Sequence, residues 1–342
     1  MRRGLVHPAL VFRGRVWYTG DIPSGAQGKS GPQAKEAVRM PQKRQNDFAV
    51  AVGLLGLGFT CMLAVSMIGC SLMTMAAVWT TDEVTTDLLM IINDVGIYGL
   101  GLPVLLAIGH FLPNSAPFPL RPVRALRPVT FARTAAVGYA GCMVANLVSL
   151  LLLAAIRALA GLQPNNNLNG MVETMSPWAS LILISLVPAV AEELVFRGYL
   201  YRKLIRFGQL PYILISAFFF GSFHGNLDQF LYAFVLGCWL GYLVCRTGSV
   251  VYGMLIHLFI NFFSSCVLTS AGDGAVANAL LGLGILALVG WGLVQFWDFH
   301  RRMFVRPATG LPEHPVRAAL LNPGMLLWIV AFLVMCVISL LG

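Results

Sequence analysis

Long apolar segments alternate with short polar ones along most of the chain. They lie at 48–79, 88–112, 134–156, 177–201, 210–224, 229–245, 250–270, 277–297 and 324–342. A helix of about 20 apolar residues crosses the hydrocarbon core of a bilayer, and only the segment at 210–224 is clearly short for that. The pattern therefore predicts an all-α, polytopic membrane helical bundle with about eight or nine transmembrane helices.

The composition agrees with a membrane protein. Hydrophobic residues make up 58% of the chain and charged residues 11%, whereas a soluble domain has about 25% charged residues. The net charge of +9 fits loops that face the cytoplasm and anionic lipid head groups, so we expect membrane lipid and no nucleic acid as a partner. The seven cysteines lie in apolar segments without a C-x-x-C pair, which argues against a disulfide framework or a zinc ribbon.

The placement of charge predicts the orientation. If the N-terminal tail is cytoplasmic, every Lys and Arg except Arg157 falls on the cytoplasmic side or near it. The opposite loops carry acidic residues, namely Asp82, Glu83, Asp87, Glu173, Asp228 and Asp273. The positive-inside rule thus favours a multi-pass integral membrane protein with nine spans and a cytoplasmic N-terminus. In a bacterial source the expected location is the plasma (inner) membrane.

Four regions are expected along the chain. The basic tail lacks the apolar core of a secretory signal and is expected to be mostly disordered. Within it, Met40 is a second candidate start, so residues 1–39 are open to question as part of the native protein. The regions are the tail at 1–47, N-terminal transmembrane helices with a basic loop at 48–133, a core at 134–276, and C-terminal transmembrane helices at 277–342.

The first candidate for chemistry is the adjacent pair Glu192 and Glu193 in an apolar helix. An acidic residue at the centre of such a helix costs roughly 2.5–3.5 kcal/mol by insertion scales and normally faces a bundle interior or a wet cavity. The two side chains point about 100° apart on a helix, so they have different partners. Arg197 follows Glu193 at i,i+4, the spacing of a helical ion pair, which leaves Glu192 free. The alternative is an ion-pair cluster that only fixes helix packing.

Two histidines in apolar helices follow. His224 and Glu192 each lie 14 residues from the expected cytoplasmic end of their spans, about 21 Å deep by the helical rise, as a carboxylate–imidazole couple requires. His257 and Asn261 are at i,i+4 and share a helix face, and their donors suit a developing oxyanion. A core histidine and an interhelical hydrogen bond are the structural alternatives. Asp94 is a further intramembrane acid, for which a place near the outer surface is favoured over the same cavity.

These residues form an ordered set. The motifs Glu192-Glu193-x-x-x-Arg197, Phe220-x-x-x-His224 and His257-x-x-x-Asn261 resemble those of the CPBP family, over about residues 175–270. That family includes the CAAX prenyl endopeptidases of the Rce1 type and bacteriocin-processing or Abi-like proteins. The resemblance marks the region 134–276 as a CPBP-like catalytic core.

The resemblance implies an intramembrane protease in which Glu192 and His224 activate water, while His257 and Asn261 stabilise the oxyanion. Glu193 and Arg197 would support them. The family has been described both as metalloproteases and as glutamate proteases. No cofactor is certain, and a divalent metal such as zinc at Glu192, His224 and His257 stays open.

The expected substrate is a membrane-associated peptide or protein with an apolar or lipidated end, such as a prenylated CAAX-type peptide. Three other interpretations remain. One is a non-catalytic interaction or immunity protein of the same fold. The others are a proton-coupled transporter that uses the buried Glu and His, and a purely structural polar cluster.

Overall fold

The computed structural model describes residues 11–12, 15–16, 42–123, 125–162, 174–267, 274–306, 308 and 311–341. The chain divides into two units, Met1–Arg39 and Met40–Gly342. In the first unit, strands β1 (Val11–Phe12) and β2 (Arg15–Val16) pair antiparallel. The expectation of a mostly disordered tail otherwise falls outside the described residues.

The second unit is built from helices. Ten helices lie within its described residues. They are α1 Gln42–Thr80, α2 Thr86–Gly109, α3 Pro128–Ala160, α4 Pro177–Phe207, α5 Gln209–Phe223, α6 Leu227–Thr247, α7 Val251–Phe262, α8 Ala275–His300, α9 Pro315–Leu320 and α10 Pro323–Leu341.

Two long helices and the end of a third contain π-helical turns. In α2 such a turn covers Val95–Gly101. In α4 two of them, Ser180–Leu186 and Leu194–Tyr199, flank the α-helical segment Val187–Glu193. A further one, Phe263–Val267, continues α7. A π-helical turn inserts a residue into the helix and often marks a functional site.

The structure confirms the predicted polytopic helical bundle. Among the described residues, seven helices are long and apolar enough to cross a membrane, and two shorter apolar helices, Gln209–Phe223 and Val251–Ser265, add to them. Helix α1 begins at Gln42, a few residues ahead of its apolar part. The segment Gln42-Lys43-Arg44-Gln45 consists of good helix formers, so it extends the helix ahead of its apolar part.

The helices pack in a few main pairs. Helix α1 lies against α2 and α10, α6 lies against α3 and α5, α8 lies against α3, and α7 lies against α4. Many leucines on α8, such as Leu280, Leu283 and Leu286, are exposed. Apolar side chains at such positions fit contact with lipid.

An aromatic cluster holds the centre of the bundle together. The Phe59 ring of α1 stacks on Phe219 at 4.5 Å and on Phe196 at 5.6 Å, and Trp328 of α10 lies 5.5 Å from it. The Trp328 indole N–H donates to the Ser222 hydroxyl at 2.7 Å, so the one hydrogen-bond donor of this buried ring has an acceptor. Four helices, α1, α4, α5 and α10, meet at this cluster.

The proline-rich loop between α2 and α3 is tied to one end of the bundle. The Lys203 ammonium donates to the Leu112 carbonyl at 2.7 Å, and the Ser115 hydroxyl donates to the Arg202 carbonyl at 2.7 Å. The Val123 amide donates to the Thr247 carbonyl at 2.9 Å, next to Gly248, whose φ of +74° ends α6 in a conformation that glycine adopts without strain. The loop therefore contacts the C-terminal ends of both α4 and α6, which lie at the same end of the bundle.

Candidate active site

The two glutamates lie at the C-terminal end of the α-helical segment Val187–Glu193 of α4. Both are buried, Glu192 at 7% exposure and Glu193 at 0%. Because consecutive residues point about 100° apart on a helix, the two carboxylates have different partners. Glu192 is directed toward α2 and α7, whereas Glu193 is directed toward Arg197 and α7.

Glu193 and Arg197 form the ion pair predicted from their spacing. The guanidinium donates to Glu193 Oε1 at 2.8 Å, and both side chains are fully buried. The guanidinium carbon also lies 4.1 Å from the centre of the Phe220 ring, in a cation–π arrangement. The pair neutralises one of the two acids, and Glu192 has no cation of this kind at contact distance among the described residues.

His257 lies between the two glutamates. Its Nδ1 is 3.2 Å from Glu193 Oε1, and its Nε2 is 3.8 Å from Glu192 Oε2. An ionised carboxylate only accepts hydrogen bonds, so the Glu193 contact assigns a proton to Nδ1. His257 is thus the histidine within 4 Å of Glu192, and the predicted couple of Glu192 and His224 around a water molecule stays a prediction.

His224 lies at the end of α5, near the same carboxylate. Its Nδ1 is 2.9 Å from the Phe220 carbonyl, which makes Nδ1 the protonated nitrogen and leaves the Nε2 lone pair free to accept. The Phe220 ring lies 5.4 Å from the His224 ring and 5.5 Å from the His257 ring, so it contacts both imidazoles edge-on.

Asn261 follows His257 by one turn of α7 and is half-buried. Its Nδ2 donates to the Ile184 carbonyl of α4 at 3.3 Å. A side-chain amide has two N–H groups, so one of them stays available for another acceptor. The Ser265 hydroxyl donates to the backbone carbonyl of Asn261 at 2.7 Å and also lies 2.9 Å from the Ser185 hydroxyl. These contacts link the C-terminal end of α7 to α4.

The sequence interpretation missed Tyr98. Its hydroxyl donates to Glu192 Oε1 at 3.1 Å. Asp94, expected near the outer surface, lies one turn before Tyr98, and its Oδ2 is buried without a hydrogen-bond partner among the described residues. The sequence feature that could have indicated Tyr98 is its i,i+4 spacing from Asp94 on the otherwise apolar helix α2.

A metal at Glu192, His224 and His257 stays a prediction. Within the described part of the chain, no three His, Cys, Asp or Glu side chains stand close enough together to hold a metal ion. His224 and His257 each use Nδ1 for a protein contact, which leaves both Nε2 atoms free. Metal-ligating histidines have the same arrangement, with the second ring nitrogen donating to a carboxylate or a carbonyl.

A comparison with known protein families gives a match to part of the chain. Residues 174–263 match the family model described as type II CAAX prenyl endopeptidase Rce1-like. No match was found among the curated proteins or the solved structures that were compared. The matched segment runs from just before α4 to the end of α7 and contains Glu192, Glu193, Arg197, His224, His257 and Asn261. The resemblance predicted from the motifs is thus confirmed, and over residues 174–263 this membrane protein is similar to the Rce1-like CAAX prenyl endopeptidases.

Proposed function

We propose that this protein is an intramembrane endopeptidase that hydrolyses a peptide bond in a membrane-associated substrate. The observation that carries the proposal is the position of His257, with one ring nitrogen 3.2 Å from Glu193 and the other 3.8 Å from Glu192, inside a bundle of apolar helices. Ionisable groups at such depth are expensive and normally functional. The family match at 174–263 supports hydrolysis as that function.

In the proposed reaction, Glu192 is the general base and His224 helps to hold the attacking water. One hydrogen of the water points to Glu192, and the other points to the Nε2 lone pair of His224, whose Nδ1 proton is used by the Phe220 carbonyl. As the water oxygen attacks the scissile carbonyl carbon, one proton moves to the Glu192 carboxylate.

The negative charge then develops on the carbonyl oxygen. Asn261 offers its second N–H, and His257 offers Nε2–H, as donors to this oxyanion. In this role His257 carries a proton on each ring nitrogen, and the adjacent Glu192 and Glu193 offset its positive charge. When the tetrahedral intermediate collapses, the C–N bond breaks and the proton on Glu192 passes to the leaving amine.

Glu193 and Arg197 keep His257 in place. Glu193 Oε1 accepts from Arg197 and from the His257 Nδ1–H, so the ion pair fixes the imidazole orientation. We propose the glutamate-type reaction, since a carboxylate–imidazole couple suffices as a general base.

The proposed substrate is a peptide or protein with an apolar or lipidated end, such as a prenylated CAAX-type peptide. The family match supports this class, and apolar helices surround the polar site. The basic loops favour a cytoplasmic N-terminus and access to the site from the cytoplasmic side.

The experiment that tests this function is turnover of a quenched fluorescent peptide by the purified full chain in lipid nanodiscs. The peptide carries a prenylated cysteine followed by three residues, and an unprenylated peptide is measured beside it. We expect cleavage that falls by about 100-fold or more in Glu192→Gln and His224→Gln. Glu83→Gln is the matched control, since Glu83 is an exposed acid far along the chain from the site.

The outcomes separate the competing functions. Full turnover in Glu192→Gln would overturn the catalytic assignment. Absence of cleavage by the wild type, together with substrate flux into liposomes, would favour the transporter. Loss of turnover on treatment with a chelator, with recovery on adding zinc, would overturn the metal-independent reaction while leaving the endopeptidase in place.

A further inference from the structure

A residue outside the matched segment contacts the proposed base. Tyr98 lies in α2, whereas the family match begins at residue 174. Its hydroxyl donates to Glu192 Oε1 at 3.1 Å. The other oxygen of the carboxylate, Oε2, faces His257 Nε2 at 3.8 Å. Because a carboxylate is planar, a bond that holds one oxygen also sets the direction of the other.

The backbone around Tyr98 is fixed against α1. Tyr98 lies in the π-helical turn Val95–Gly101. A Cβ at Gly96 would meet the Cys70 side chain, and a Cβ at Gly101 would meet the Ser66 side chain, so only glycine permits this close approach at either position. The turn is therefore held on both sides of Tyr98, and the phenol reaches Glu192 from a rigid support.

The charges around the phenol favour this bond. Asp94 lies one turn before Tyr98, and its Oδ2 is buried without a hydrogen-bond partner among the described residues. Two carboxylates near each other repel, and a hydroxyl directed at one of them stabilises its ionised form. Hydrogen bonds in which the acceptor is ionised are also stronger than neutral ones.

We infer that Tyr98 is a positioning residue of the proposed reaction, which holds Glu192 so that its Oε2 faces the imidazoles and the attacking water. The inference rests on the proposed endopeptidase function. It makes α2, which lies outside the family match, a part of the active site.

The test removes the Tyr98 hydroxyl and keeps the aromatic ring. Tyr98 lines a small cavity with Phe59, Met62 and Phe223 beside Glu192, and a phenylalanine ring fills the same space. In Tyr98→Phe we expect kcat to fall by about 10- to 100-fold, the range for a lost hydrogen bond to a charged group. KM should change less than about twofold, because the contact orients the base and does not bind substrate.

Tyr139→Phe is the matched control. Tyr139 is fully buried in α3, and its hydroxyl has no hydrogen-bond partner among the described residues. This substitution should leave kcat, KM and the thermal unfolding midpoint unchanged. If Tyr98→Phe keeps the kcat of an active wild type, or changes KM alone, the positioning role is overturned.

A second measurement does not depend on turnover. The infrared carboxylate band of Glu192 is identified by its absence in Glu192→Gln. This band should shift in Tyr98→Phe and stay in place in Tyr139→Phe, because only Tyr98 donates to that carboxylate. A shifted band with no cleavage by the wild type would refute the endopeptidase and retain the contact, whereas an unshifted band would refute the inference itself.

Discussion

Glu193 is fully buried, and a single one of its oxygens has hydrogen-bond partners among the described residues. Oε1 accepts from Arg197 and lies 3.2 Å from His257 Nδ1, while Oε2 is buried without a hydrogen bond among the described residues. Removing one member of a buried ion pair leaves the other charge uncompensated in a low-dielectric interior. The stability of this region should therefore depend on Arg197 far more than a surface ion pair would suggest.

Arg197→Met is expected to destabilise the protein by about 3–5 kcal/mol, because Glu193 then stays buried without its cation. Arg302→Met is the matched control. Arg302 pairs with Asp298 at 3.0 Å at the same i,i+4 spacing, but both side chains are mostly exposed, and such pairs contribute about 0–1 kcal/mol. Thermal unfolding in detergent measures both. Equal losses in the two variants would contradict the charged, buried pair described here.

Asn261→Ala distinguishes an oxyanion donor from a packing contact. Loss of one oxyanion donor lowers kcat by about 10²- to 10³-fold, with little effect on KM. The bond from Asn261 to the Ile184 carbonyl should contribute only about 0.6 kcal/mol to stability, the average for interhelical contacts in membranes. Steady-state kinetics with the quenched peptide and a thermal unfolding curve distinguish the two roles. A fall in stability with unchanged kcat would assign Asn261 to packing alone.

At the scale of helices, the site depends on how closely α4, α5, α6 and α7 approach one another. Gly253 of α7 faces Glu193 of α4, and a Cβ there would lie 2.7 Å from Glu193 Oε2. Gly237 of α6 faces Ala217 of α5 and the Arg197 guanidinium in a similar way. Small residues at such crossings let helix backbones come close in a membrane, and they bring the ion pair within reach of the neighbouring helices.

Gly253→Ala is expected to lower kcat/KM by about tenfold or more, since the new methyl group displaces Glu193 and with it His257, and small misplacements in an active site are costly. Gly290→Ala in α8 is the matched control, because nothing lies within 4 Å of a Cβ at that position. Both variants are assayed with the same peptide and by thermal unfolding. Wild-type kinetics in Gly253→Ala would show that Glu193 has more room than the contact distance indicates.

The sequence predicts contacts within one helix better than contacts between helices. The Glu193–Arg197 pair follows from i,i+4 spacing alone, and the apolar segments locate the helices within a few residues. The partner of Glu192 does not follow in this way. The helical rise places His224 at the depth of Glu192, but which histidine contacts Glu192 also depends on helix rotation. The π-helical turns at Val95–Gly101 and Leu194–Tyr199 alter that rotation, and no hydrophobic pattern marks them.

For the whole molecule, the ends of the bundle differ in charge. One end joins the loop after α2 to Arg202 and Lys203 of α4 and to the junction of α6 and α7. At the other end, Asp87 accepts from the Ser176 amide at 3.0 Å, and Arg157 lies 4.0 Å from Asp228. Arg157 is the one basic residue that the charge pattern assigns to the acidic side, and its pairing with Asp228 agrees with that assignment.

This asymmetry gives a prediction for the orientation in the membrane. Positively charged loops stay in the cytoplasm, so the loop at Arg121 should face the cytoplasm and the loop at Glu83 should face the opposite side. In a variant whose native cysteines are replaced by alanine, Glu83→Cys should react with a membrane-impermeant thiol reagent on intact cells. Arg121→Cys should react only after the membrane is permeabilised. Both positions are exposed, so a reversed labelling pattern would overturn the cytoplasmic N-terminus and move access to the site to the other side of the membrane.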